Sequence, residues 1–284
     1  MACDWKQVSF GQTGLTVTPL GLGSSYGLGA ADVERAFDRG LNYFYWGTSR
    51  TKPFGDGLKA ISKKNRSRLV LVVQSYSRLG SLVGPSLNRA LKQLGTDYAD
   101  LLLLGWWNQP PPPRILDAAL ELKSKGRARA LLISCHNRRT FERYVDDPAY
   151  GGIMVRYNAA HPGAETEVFP ALSRRRVGVV AYTATRWGAL LDPKLVPGGE
   201  PAPRGSDCYR FALSSPFVDV VLCGASDGAE LDEAMAALDR GPMSGDELAW
   251  MKRVGAHVKA HVPPASRGSH LDLMDKVSSL VSGS

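Results

Sequence analysis

The stretch Asp97-Tyr98-Ala99-Asp100-Leu101-Leu102-Leu103-Leu104-Gly105-Trp106-Trp107 decides the fold. Four consecutive leucines suit a strand buried on both faces, as strands of parallel sheets are. The run ends in Gly105 and two tryptophans, then Asn108, Gln109 and the prolines Pro110–Pro113. A helix would not continue into that block, because each proline lacks a backbone donor and restricts the residue before it. A strand therefore ends near Gly105 and opens a loop.

Outward from this strand, apolar β-type runs alternate with helical ones. The strands are expected at Thr18–Ser24, Leu41–Trp46, Leu69–Ser75, Asp100–Gly105, Ala128–Ser134, Ile153–Tyr157, Val177–Thr183 and Val218–Cys223. Helices are expected near Asp32–Arg39, Phe54–Lys63, Leu82–Leu94, Arg114–Lys125, Thr140–Val145, Glu165–Arg174, Ser206–Ser214 and Ala229–Leu238. Gly40, Gly95 and Gly126 follow helical runs, as C-terminal caps do. Ser244 with Glu247 three residues on is a capping box for one further helix. Strict alternation of eight strands with eight helices is the pattern of a closed parallel barrel, a (β/α)8 TIM barrel. The segment Val8–Val17, with Gly11 and Gly14 in its turn, reads as a preceding β-hairpin. No linker divides the chain, so residues 1–284 are expected to form one barrel domain, with a flexible C-terminal tail over 262–284.

Composition sets wide bounds. The chain has 284 residues, 44% hydrophobic and 22% charged, with a formal charge of +8. A single barrel of this kind takes about 250 residues. No apolar run reaches the roughly 20 residues of a membrane span, and the first residues lack the apolar core of a signal peptide. Cys3, Cys135, Cys208 and Cys223 are too widely spaced for a disulfide framework or a zinc knuckle. A reduced, cytoplasmic protein is expected, with no membrane and no metal site. The basic clusters Lys63–Arg68 and Arg174–Arg176 precede apolar strands and read as solvated loops at the barrel floor. A nucleic-acid partner would call for charge along one element with interleaved aromatics, so none is expected.

The motif D-Y-x-D-L followed by an apolar run resembles the fourth barrel strand of the aldo-keto reductases, NADPH-dependent (β/α)8 barrels. Three further segments carry the resemblance: Gly126–Ser134 is similar to the family's G-K-x-R-x-x-G-V-S, Ala181-Tyr182-Thr183 to its A-Y-S, and Gly224-Ala225-Ser226 to its P-G-A-S loop. It runs roughly from Val8 to Val254, and the family also begins with a hairpin. The resemblance implies catalysis by an Asp, Tyr, Lys and His tetrad, in which a lysine lowers the pKa of the proton-donating tyrosine. An unaided phenol, near pKa 10, holds its proton too tightly at pH 7.

None of the four is present here. The family's D-T-A-x-x-Y aligns with Tyr45-Trp46-Gly47-Thr48-Ser49-Arg50, so aspartate becomes Tyr45 and tyrosine Arg50. Gln74 stands at the lysine and Gly105 at the histidine. Among the cofactor positions, Ser134 and Tyr182 are kept, and backbone amides around Gly224, Ala225 and Ser226 are candidates for a phosphate. The asparagine after the serine is Cys135, the strand 6 glutamine is Met154, and the arginine for the 2′-phosphate is Glu230. NADPH or NADH contacts are thus expected to be weakened, and the cofactor stays open.

The strand ends carry other groups. Candidate catalytic residues are His136, His161, Arg156 and Tyr45, the histidines because they titrate near neutrality. An acid–base pair of His161 with Glu165 is expected. Candidate substrate-binding residues are Trp46, Gln74, Tyr76, Trp106, Trp107, Tyr157, Glu165, Arg186 and Trp187, as an aromatic mouth with a few polar groups suits a small molecule. Against this, aromatics also fill vacated space, and Asn137 reads as a helix cap. Three readings stay open: a barrel enzyme with non-standard chemistry on a small organic molecule, a divergent NAD(P)H-dependent oxidoreductase with a relocated proton donor, and a non-catalytic binder of a ligand or partner. Oligomeric state is not legible.

Overall fold

The computed structural model describes residues 6–47 and 50–262. The chain opens with an antiparallel hairpin, β1 (Val8–Ser9) and β2 (Thr16–Val17). Then follow the barrel strands β3 (Leu20–Gly23), β4 (Tyr43–Trp46), β5 (Val70–Ser75), β6 (Ala99–Leu104), β7 (Ala128–Ser134), β8 (Tyr150–Arg156), β9 (Gly178–Tyr182) and β10 (Val220–Cys223). All neighbouring pairs are parallel, and β10 closes against β3. The helices are α1 (Ala30–Asp38), α2 (Lys52–Asn65), α3 (Gly80–Leu94), α4 (Pro113–Ser124), α5 (Phe141–Asp146), α6 (Ala164–Glu167), α7 (Gly205–Leu213), α8 (Gly228–Arg240) and α9 (Gly245–His261). Among the described residues, no helix is long and apolar enough to cross a membrane.

The leucine run behaves as its composition requires. Leu101 and Leu103 point into the barrel with Val72, Leu132 and Val180, while Leu102 and Leu104 pack outward against the helices. Side chains alternate across a strand, so a strand covered on both faces is apolar at every position. Asp100 of the same motif works at the floor. Its carboxylate accepts from Leu71 N (2.9 Å), Arg66 Nη2 (2.9 Å) and Arg129 Nη1 (3.0 Å), tying β5, β6 and β7 together. Asp219 repeats the device with Val179 N (2.8 Å) and Arg176. The two basic clusters are therefore partly structural braces, which continues in Arg175 donating to Val145 O, Asp147 O and Tyr150 O.

The hairpin plugs the floor with Phe10, fully buried inside the barrel. Gly152 and Gly178 make room for its ring, since a Cβ at Gly178 would meet Phe10 Cζ at 2.5 Å and one at Gly152 would meet Phe10 Cε1 at 2.9 Å. This explains why β8 begins at Tyr150, earlier than the expected Ile153: Gly151 and Gly152 weaken the local strand signal but are demanded by tertiary packing.

Other departures are local. The helix expected over Glu165–Arg174 is a short α6 followed by a 3₁₀ turn at Phe169–Ser173, broken where Pro170 lacks its amide donor. Asn137 does not cap with its side chain. Gly95 has φ +64 after α3, and the capping box of Ser244 and Glu247 opens α9. Residues 48–49 and most of the expected tail, from residue 263, lie outside the described residues.

Candidate functional site

Two sides of the barrel mouth differ in character. On the β4–β6 side, where the resemblance puts the tetrad positions, space is filled. Tyr45 is 5% exposed and its phenol donates to Gln74 Oε1 inside the barrel. Arg50 Nη2 donates to Gln74 O at 2.5 Å, and burial lowers the pKa of its guanidinium. A Cβ at Gly105 would collide with Gln74 Nε2 and stand 2.7 Å from Tyr76 Cε1. A Cβ at Gly47 would lie 2.5 Å from Tyr45 Oη. Gln74 and Tyr76 thus occupy the place a larger residue at 105 would need.

The β7–β9 side gathers polar groups. Arg156 ends β8 opposite Tyr182 of β9, and the two side chains share the interior face above Met154. Its guanidinium hydrogen-bonds Tyr182, and Nη2 lies 3.4 Å from His136 Nδ1. Arg156 also stands over the Trp187 ring, 5.2 Å from its centroid. Beside it, Arg186 Nη1 is 3.2 Å from His161 Nε2, and its Nη2 donates to Val262 O at 3.0 Å. Burial, then Arg186, Arg156, Arg138 and Lys259, push the His161 pKa down to about 4. The imidazole is neutral at pH 7 and accepts from Arg186. Burial raises Tyr182 to about 12, although Arg156 opposes the shift.

Backbone strain is concentrated here. Among the described residues, the non-glycine positions with positive φ are Trp106 (+60), Thr183 (+58), Arg186 (+51) and Trp187 (+53). All four lie in the loops after β6 and β9. Such conformations cost about 1–3 kcal/mol each and persist only where surrounding bonds impose them. Trp106 is held by its N–H to Ser134 Oγ (3.0 Å) and by Arg78 Nη2 on its carbonyl (2.8 Å). Asn108 fastens the neighbouring loop, accepting from His136 N (2.9 Å) and Asn137 N (3.1 Å). Neither Arg78 nor Asn108 carried a sequence signal, because both act on loops distant in the chain.

The expected site residues therefore divide. His136, His161, Arg156, Tyr182, Arg186 and Trp187 come together, with Trp106 against both His136 and Tyr76. Trp46, Trp107 and Tyr157 do not join them. Trp46 and Tyr157 each follow an inward neighbour and pack outward, Trp46 stacking on Phe54 and Tyr157 contacting Phe169 and Phe211, while Trp107, beyond the end of β6 and after the left-handed backbone of Trp106, lies under Arg78. Within a strand, an aromatic reaches the mouth only with the right parity. Glu165 accepts from Tyr157 Oη at 2.7 Å, so the expected pairing with His161 gives way to His161 with Arg186. Gln74 and Tyr45 are buried fillers of the other side.

The loop after β10 is closed on itself. Ser226 N and Oγ both donate to Glu230 Oε2 at 2.8 Å, so a carboxylate already takes the donors a phosphate would use. Ala225 N bonds the Cys223 sulfur, and a Cβ at Gly224 would meet the Tyr26 ring at 2.7 Å. Ser134 Oγ is likewise engaged by Trp106 N. At the opposite end of the barrel, a cavity of about 410 Å³ is lined by Asn42, Arg68, Asp100 and Arg129 among others. Asp100 there is saturated by structural donors, and the floor of such barrels serves stability.

A closed eight-stranded parallel barrel with its convergent side chains at the C-terminal strand ends defines a (β/α)8 barrel protein of enzyme type. Residues 28–199 match the family model "Aldo/keto reductase family", more than half of the chain, and this protein belongs to that family. Two solved structures are similar, both of aldo-keto reductase AKR11C1 from Bacillus halodurans. The apo form is 20% identical with a TM-score of 0.73, and the holo form 19% identical with a TM-score of 0.74. Each comparison covers 94% of this chain and 99% of that chain, and at this identity the likeness is one of fold. The residues present do not fit a 2′-phosphorylated dinucleotide held at the loop after β10, because Glu230 sits on its donors.

Proposed function

We propose that this protein is a barrel enzyme acting on a small organic molecule by acid–base chemistry other than nicotinamide hydride transfer. The observation that carries the reading is the contrast across the mouth. Gln74 and Tyr76 fill the tetrad side against Gly105, while His136–Arg156 and His161–Arg186 converge on the other. In this reading Arg156 binds and polarises a substrate oxygen, His136 and His161 exchange protons with the substrate, and Trp106 and Trp187 hold its apolar part. His161, held near pKa 4 by burial and its neighbouring cations, becomes a working base near pH 7 only when a bound substrate brings negative charge beside those cations and raises it.

A second reading, a nicotinamide-dependent oxidoreductase with a moved proton donor, is favoured by one pair. Arg156 beside Tyr182 is a phenol next to a cation, the combination that carbonyl reduction uses. Burial nonetheless holds Tyr182 at about 12, well above a working general acid at pH 7. Titration with NADPH and NADH, followed by nicotinamide fluorescence, separates the two. No binding at millimolar cofactor is expected; micromolar binding overturns the non-hydride reading. Once a substrate turns over, His136→Ala and His161→Ala must each abolish turnover, and full activity in both refutes their roles.

A further inference from the structure

Separate stretches of chain meet around the cavity in the barrel floor. Residues 14–16 of the hairpin, Phe37 of α1, Asn42 before β4, Arg68 before β5, Asp100 of β6 and Arg129 of β7 all line it. The cavity holds about 410 Å³, within the size range of small-molecule sites. It opens at the end of the barrel away from the mouth, because its strand residues stand at strand beginnings.

The charges around this cavity do not balance. Asp100 is the one acid of the described lining, and it is 1% exposed. Its two oxygens already accept from Leu71 N, Arg66 Nη2 and Arg129 Nη1. Arg68 meets no carboxylate among the described residues, and its guanidinium stands over the Phe37 ring, 5.2 Å from the centroid. Arg129 donates to Asp100 through Nη1 at 3.0 Å, which leaves Nε and Nη2 to turn elsewhere. The guanidiniums of Arg66, Arg68 and Arg129 thus face a single carboxylate, and positive charge is in excess.

The rest of the lining is polar and partly uncommitted. Asn42 is fixed, with Oδ1 accepting from Thr18 N and Nδ2 donating to Thr16 O. Gln7 and Ser67, in contrast, bring an amide and a hydroxyl that make no described side-chain hydrogen bond. Arg68 is exposed and the Arg129 side chain half exposed, so an anion has a way in from solvent.

We propose that the floor cavity binds a small phosphate monoester, its phosphate held by Arg68 and Arg129 and its hydroxyl-bearing part beside Gln7 and Ser67. Such an ester carries about −1.5 to −2 charges at neutral pH, which answers the excess of arginine. Its oxygens match the planar fork of a guanidinium. A monocarboxylate leaves part of the positive charge unanswered. The bound phosphate bridges β7 to the turn before β5, with the hairpin alongside, and so fastens the floor. The site is separate from His136, His161 and Arg156 and does not depend on the chemistry proposed for the mouth.

The test is calorimetric titration of the full-length protein at low salt with glycerol 3-phosphate, succinate and glycerol. Glycerol 3-phosphate is expected to bind about tenfold or more tighter than glycerol, and Arg68→Gln and Arg129→Gln should each weaken it about fivefold or more. Arg68 makes no described hydrogen bond, so its replacement leaves the braces on Asp100 in place. The phosphate ester should also raise the thermal unfolding midpoint of the wild type more than that of Arg68→Gln, since a ligand of the folded state stabilises it. No binding at millimolar glycerol 3-phosphate overturns the proposal. Full binding in either variant puts the phosphate elsewhere on the protein and overturns the site. Succinate binding as tightly as the ester overturns the assignment to phosphate.

Discussion

Gln74 and Gly105 are complementary: the Gln74 amide lies where a β-carbon at position 105 would have to go. Residue 105 cannot regain a side chain while Gln74 and Tyr76 keep their places. Gly105→His should overpack the mouth and lower unfolding free energy by about 1–3 kcal/mol, read by urea denaturation. It should not produce carbonyl reductase activity, because Tyr45 and Arg50 do not rebuild the phenol–lysine pair. Reductase turnover in this single variant would show that the filled side is still a working tetrad site.

Glu230 stands on Ser226 N and Oγ as a phosphate would. In Glu230→Ala the donors are released and a like charge is removed from any phosphate nearby. The protein, expected to bind neither cofactor at millimolar concentration, should gain weak affinity for NADPH but not for NADH, as an exposed charge is worth about 1 kcal/mol. Fluorescence titration of the variant with both cofactors measures it, and NADPH binding no stronger than NADH binding would mean that the loop does not address a 2′-phosphate at all.

His161 gives a pH signature with a definite sign. Its folded pKa is about 4, below the ordinary 6.5, so between these values the unfolded chain binds more protons than the folded one. Its contribution to stability is complete above about pH 6.5 and falls away as pH drops through about 4. Arg186→Gln removes the nearest cation, and the His161 pKa, followed by NMR, should move up toward 6.5. A pKa that stays near 4 in that variant would leave the depression to burial and to Arg156, Arg138 and Lys259.

Phe10 and Gly178 form the plug of the floor. Gly178→Ala drives a methyl into the Phe10 ring and should cost roughly 1–3 kcal/mol, while Phe10→Ala leaves a cavity costing about 3–5 kcal/mol. The two together should be far from additive, because each relieves or removes what the other touches. Denaturation of both single variants and the double variant checks this.

The barrel was legible in the chain because its evidence is local. The leucines of β6, the proline block after it and the alternation of β-type with helical runs each depend on neighbours a few residues away. The expectation that Tyr45, Arg50, Gln74 and Gly105 replace a catalytic tetrad came from the resemblance, which supplied the register. Tertiary structure decided which strand-end residues share the mouth. Trp46 and Tyr157 look like Trp106 and Arg156 in composition, yet one step of strand parity turns them outward into the helix layer, and the left-handed backbone at Trp106 sends Trp107 there against its parity. It also decided that Glu165 serves Tyr157, that Glu230 closes on Ser226, and that Arg156 meets His136. Those relationships depend on where eight strands end around a closed ring, and no local pattern of residues carries that distance.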